Sequence, residues 1–183
     1  MLTAAAQGGL EVRQESDGSV RLRGRFPYNQ AAQLAPGRSE VFAPGSLEPR
    51  QDTYLLSQHE FAHPLASTSA GTLEVRQEQD ALAFTAILSP EVAGTSHGRD
   101  AVALIRSGLA VGLSPGFRVP SGGERVERRG DELVRTVTRA ELHELSIVTR
   151  PAFATAEVEA RRWQPENGEG DHIVSRPPQW RWR

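Results

Sequence analysis

At a nominal ~150 residues per domain, a chain of 183 residues is one domain. Its 21 basic and 23 acidic side chains leave a net charge of −2, with no general pull toward nucleic acid or an anionic membrane. It has no cysteine, which excludes disulfides, thiolate catalysis and cysteine-held zinc, and every basic residue is arginine, which removes lysine Schiff-base and Ser–Lys chemistry.

No apolar run approaches the ~18 residues of a membrane span, and the stretch Met1–Gln7 has neither the basic nor the long apolar region of a secretory signal. Leu10–Arg13 and Val20–Arg23 alternate apolar and polar residues across Ser16-Asp17-Gly18, the pattern of a hairpin that ends at Phe26-Pro27. A stretch punctuated by Gly and Pro follows from Gln33 to Pro49, then the β-prone run Thr53–Ser57 leads into Gln58-His59-Glu60. Thr72–Arg76 and Leu82–Leu88 predict a second hairpin. Ser89–Gly98 reads as a loop, and Asp100 caps an expected helix through Leu109, with Ala101, Leu104, Ile105 and Gly108 on one face. Gly123–Arg129 and Glu132–Arg139 form a third expected hairpin around Gly130-Asp131, followed by a strand over Ala140–Thr149. Ala154–Trp163 suggests a short helix, and the chain divides into a domain over 1–163 and a flexible tail over 164–183. These elements predict an α+β fold, with a mainly antiparallel, β-barrel-like core and a few surrounding helices.

The sharpest candidate for chemistry is Ser114, in Gly112-Leu113-Ser114-Pro115-Gly116. It matches the G-x-S-x-G pattern, in which small neighbours let a substrate backbone approach a serine on a tight turn. A turn of Gly, Ser and Pro joining a helix to a strand gives the same pattern without any chemistry. An α/β-hydrolase is excluded, because that fold needs a strand before the serine and a helix after it. Here the order is reversed.

A serine hydroxyl needs a base, and histidine is the usual one. His59 follows a β-prone run at a strand end, where a rigid scaffold can hold a site residue. His63 precedes a proline, so it cannot join His59 as a helical metal pair. His97 lies in a Gly/Ser loop and His172 in the tail. On the late strand, Leu142, Glu144, Ser146 and Val148 alternate with Glu141, His143, Leu145 and Ile147. A carboxylate among Leu142 and Val148 is costly to bury unpaired, and a histidine would satisfy Glu144 while being oriented by it.

In these residues the chain resembles the tailed-phage prohead (procapsid maturation) serine proteases, relatives of the herpesvirus assemblin proteases. The matching pieces run in order over about residues 10–160: Phe42-Ala43-Pro44-Gly45-Ser46-Leu47, Leu55-Leu56-Ser57-Gln58-His59 with Pro64-Leu65-Ala66, and Gly71-Thr72-Leu73. They continue through Ile105–Leu109 and Gly112–Phe117 to Glu141–Ala152. The resemblance implies an assemblin-like barrel ringed by helices, and an endopeptidase acting in the host cytoplasm, inside the immature capsid. Its substrates would be scaffold protein or the scaffold-like segment of the major capsid protein, with self-cleavage and homo-oligomers also open. No nucleic acid, membrane, metal or cofactor enters this reading. His59 would be the general base, Ser114 the nucleophile and Glu144 the residue orienting His59. His143 is the rival for that third role, because the herpesvirus relatives use a second histidine there. Backbone N–H groups near Gly116, Arg118 and Arg150 are all candidate oxyanion stabilisers. A non-catalytic capsid-assembly module with the same fold is the alternative function.

Overall fold

Period-two alternation, read in chain order, produces the first sheet of the computed structural model, which describes residues 4–6, 10–110 and 112–149. Strands β1 (Ala4–Ala6), β2 (Leu10–Gln14) and β3 (Val20–Pro27) pair antiparallel. Leu10, Val12, Val20 and Leu22 point into the core while Glu11 and Arg21, which alternate with them, do not. Pro27 ends β3, as its missing N–H dictates. The stretch read as Gly/Pro-punctuated instead contains β4 (Ala32–Ala35) and β5 (Arg38–Phe42), turning at Gly37, which has φ of +72°. Beyond β5, β6 runs over Leu47–Ser57 and β7 over Glu60–Ser67. The second expected hairpin forms as β8 (Leu73–Gln77) and β9 (Ala81–Leu88), and β9 pairs with β3 to complete a five-stranded sheet, β1-β2-β3-β9-β8.

Two short helices follow. Helix α1 covers Pro90–Ala93 with Ser89 as its cap, inside the segment expected to be a loop. Helix α2 covers Ser96–Arg106, capped by Thr95 rather than Asp100. Thr95 Oγ accepts from the Gly98 N–H at 3.0 Å, and a Cβ on Gly98 would stand 2.0 Å from the Val92 carbonyl oxygen. Gly98 is therefore the residue that lets α1 and α2 abut, a tertiary requirement that local pattern does not carry. The helix stops short of Leu109, with Gly108 at φ +68°.

The last four described strands are β10 (Gly112–Arg118), β11 (Glu124–Arg129), β12 (Glu132–Val137) and β13 (Ala140–Val148). The third expected hairpin is β11–β12. The strands build two further four-stranded sheets, β10-β13-β6-β7 and β11-β12-β5-β4. In each, a central parallel pair is flanked by antiparallel neighbours: β6 with β13, and β5 with β12. The segments 38–57 and 133–147 thus run side by side through both sheets.

Among the described residues the fold is mostly β with two short helices, and eight of the ten strand pairs are antiparallel, as expected, but the expected barrel is corrected. The three sheets are mixed or antiparallel and none closes on itself. Closure would need the edge strands to meet, but each sheet begins and ends on different strands. What unites them is one core, which includes Leu22, Leu47, Leu55, Leu82, Leu142, Leu145 and Ile147, all fully buried. Burial of each such side chain stabilises the fold by about 1.5–3 kcal/mol. Phe42 of β5 meets Phe26 of β3 and Phe117 of β10 edge to face, with centroids 5.2 and 5.0 Å away, so one aromatic node joins all three sheets. The helix expected over Ala154–Trp163 and the tail over 164–183 lie outside the described residues.

Candidate active site

The site lies on one face of the sheet β10-β13-β6-β7. Strand β13 is central and buried on both faces over 144–148, so its two polar residues there, Glu144 and Ser146, require partners. Both have them. Glu144 Oε1 accepts from the His59 Nδ1 at 2.7 Å, and Glu144 Oε2 accepts from the Ser146 hydroxyl at 2.6 Å. With 5% of the Glu144 side chain exposed, two donors satisfy a carboxylate that would otherwise be costly to bury.

His59 reaches Glu144 from the two-residue turn between β6 and β7. The parallel pairing of β6 with β13 brings the end of β6 to this point, with Leu56 opposite Ser146 and Ser57 opposite Ile147. With Nδ1–H committed to Glu144, the ring presents Nε2 as its free acceptor. That atom is enclosed and has no hydrogen-bond partner among the described residues. An enclosed nitrogen without a partner is rare in a folded protein, and a functional role is one of the recognised reasons for it.

Ser114 lies on β10, the neighbour of β13, directly opposite Ser146. Gly112-Leu113-Ser114-Pro115-Gly116 is therefore strand and not the turn that its small residues suggest. Directly opposed residues of an antiparallel pair project from the same face, with Cβ atoms about 4.5–5.5 Å apart. Ser114 thus shares a face with Ser146 and Glu144. It is 6% exposed, and no hydrogen bond joins it to His59 Nε2. Pro115 is tolerated because β10 is at the edge of its sheet.

The second glycine of the motif has a role that sequence reasoning missed. A Cβ on Gly116 would stand 2.2 Å from Glu144 Oε1 and 2.7 Å from its Cδ. Gly116 is the space the carboxylate occupies. The register supplies a second device. Gly116 faces Glu144 and Phe117 faces Leu142, which leaves His143 as the extra residue of a β-bulge. Bulges interrupt strict alternation and re-aim neighbouring side chains. His143 Nε2 stands 3.8 Å from Glu141 Oε2 and has no hydrogen-bond partner among the described residues. His59 contacts Glu144 and not His143.

The remaining candidates lie elsewhere. His63 and His97 stack on each other with centroids 5.2 Å apart, and His97 Nε2 is 3.2 Å from the Pro64 carbonyl oxygen. Arg118 is exposed at the end of β10, whereas Arg150 and His172 fall outside the described residues. Histidine and carboxylate in contact, with a serine on the same face of the adjoining strand, are the chemical parts of acyl transfer. A family model described as the caudovirus prohead serine protease matches residues 10–170. No curated protein and no solved structure matches the chain.

Proposed function

The chain belongs to the caudovirus prohead serine protease family, and we propose that it is the endopeptidase that trims scaffold protein, or a scaffold-like segment of the major capsid protein, inside the immature capsid. Membership makes it a serine peptidase with a role in prohead maturation. The roles of individual residues are our reading, and one observation carries it: the His59 Nδ1–Glu144 Oε1 hydrogen bond of 2.7 Å, which leaves Nε2 enclosed and without a partner.

Glu144 holds the imidazole in the tautomer that carries hydrogen on Nδ1, so that Nε2 bears the lone pair. As the Ser114 oxygen attacks the scissile carbonyl, its proton passes to Nε2, and the imidazolium that forms is stabilised by the carboxylate already against Nδ1. The same proton then goes to the departing amine, leaving the peptide's acyl group on Ser114. Water enters, gives a proton to Nε2 and attacks the ester; the Ser114–acyl bond breaks, the Nε2 proton returns to the Ser114 oxygen, and the second product leaves as a carboxylic acid. For the first transfer, the Ser114 hydroxyl must come within hydrogen-bond reach of Nε2. Such catalytic hydrogen bonds are often long in unliganded enzymes and tighten only when substrate binds.

The test is Ser114→Ala co-expressed with the major capsid protein and scaffold of the same phage. Precursor processing should fall to background, a loss on the order of 1,000-fold or more, with the proheads still assembled. Processing at the wild-type rate would remove Ser114 from the reaction.

A further inference from the structure

The turn that carries His59 adopts a backbone its residues disfavour. Gln58 and His59 have φ of +56° and +62°. Positive φ at both central positions of a two-residue hairpin favours Gly, Asn or Asp, and neither residue here is one of these. An anchor is therefore required to hold the imidazole at this place. The anchor on the page is Ser146. The His59 N–H donates to Ser146 Oγ at 2.9 Å, and a backbone N–H can only donate. The single hydroxyl proton of Ser146 is thus left for Glu144, whose Oε2 lies 2.6 Å away. Ser146 is fully buried, so water does not compete for either bond.

We infer that Ser146 is a positioning residue of the site: its one hydroxyl fixes both the backbone of His59 and the carboxylate that orients the His59 ring. This rests on the reading of His59 and Glu144 given above. Deleting the hydroxyl removes the anchor of a strained turn and one of the two donors to a buried carboxylate in a single step. Glu144 is then free to rotate about its last bond, and the ring is free to drift from the serine opposite. Misplacement of a reacting group by about 1 Å costs on the order of 100-fold in rate. Ser146 touches the base and its partner and not the substrate, so the loss falls on kcat and not on KM.

The test compares Ser146→Thr with Ser146→Val. These side chains have nearly the same shape, both suit a strand, and they differ in the hydroxyl. On a peptide spanning the mapped precursor cleavage site, the Thr variant should keep kcat within about tenfold of wild type and the Val variant should lose roughly 100-fold, each with KM within about twofold. A second readout does not depend on turnover. In a Ser114→Ala background, the downfield proton resonance of His59 Nδ1–H should stay sharp with Ser or Thr at position 146 and broaden by exchange with Val. If the β-branched variants fail to fold, Ser146→Ala removes the hydroxyl without adding volume and is held to the Val expectation. Equal kcat for the Thr and Val variants, with the same Nδ1–H resonance, overturns the inference. A wild-type chain that cleaves nothing instead defeats the assignment of His59 and Ser114, while the resonance comparison still decides the role of Ser146.

Discussion

At position 116 the missing side chain is what the site uses. The φ of Gly116 is not positive, so the backbone there would accept alanine, and the three atoms nearest the added Cβ would all belong to the Glu144 side chain. The collision is with the end of a side chain that can swing aside, so the fold should survive it. Gly116→Ala should therefore still fold, with a lowered melting temperature because a buried carboxylate is moved off its two donors, while losing activity on the order of 100-fold, because the group that orients His59 has been pushed away. Melting temperature and precursor processing measured on the same preparation check this. A Gly116→Ala variant that processes normally would show that the position of Glu144 does not matter. Histidine 59, serine 114 and glutamate 144 could be picked out of the sequence by residue type and local context. The roles of Gly116 and Ser146 could not, since both depend on strand register. Ser146 did appear in the sequence on the same alternating face as Glu144, but nothing local pointed it at the turn bearing His59.

Among the elements, the three hairpins with polar or glycine turns were legible because period-two alternation and turn chemistry are both local. Strands β4, β5 and β7 and the first part of β6 were not. The prolines and glycines of Gln33–Pro49 read as loop and Glu60–Ser67 carried no strand pattern, yet Pro49 and Pro64 lie beside register shifts, and β7 is an edge strand. Strand β10 was hidden by the small residues that make room for Glu144. Elements are also tied end to end by single side chains. The buried Tyr28, just after β3, donates its phenol to Gln77 Oε1 of β8 at 2.6 Å, and Gln77 Nε2 in turn donates to the Leu47 carbonyl of β6. Burial raises the Tyr28 phenol above its ordinary value near 10, against the opposing pull of its hydrogen bonds. A folded-state value above the unfolded one makes the phenol's contribution fully present below about pH 10 and lost as pH rises through the folded value. Urea midpoints should accordingly fall between pH 9 and pH 11 more steeply in wild type than in Tyr28→Phe. At pH 8 the variant should be the less stable by about 0.5–1.5 kcal/mol, the net worth of one hydrogen bond, since Gln77 is exposed and can turn to water. Equal alkaline slopes in the two proteins would contradict this account of Tyr28.

Over the whole molecule, the arrangement depends on the segments 38–57 and 133–147 lying parallel across two sheets. Most strand pairs are antiparallel, as the sequence suggested, but the two parallel pairs need crossovers and leave no trace in local periodicity, and the described residues build three open sheets around one core where a barrel was expected. That pairing is also what carries His59, just beyond the end of one segment, to Glu144 and Ser146, near the end of the other. The site is in this sense a product of the fold's least local feature. Its central claim is that the imidazole of His59, aligned by Glu144, takes the proton of the Ser114 hydroxyl. Fluorophosphonate labelling inside co-expressed proheads, with the modified residue located by mass spectrometry, measures this directly. The account predicts an adduct on Ser114 that forms in wild type and slows on the order of 1,000-fold in His59→Ala. An adduct on another serine, or equal labelling of Ser114 with and without the His59 ring, would contradict it.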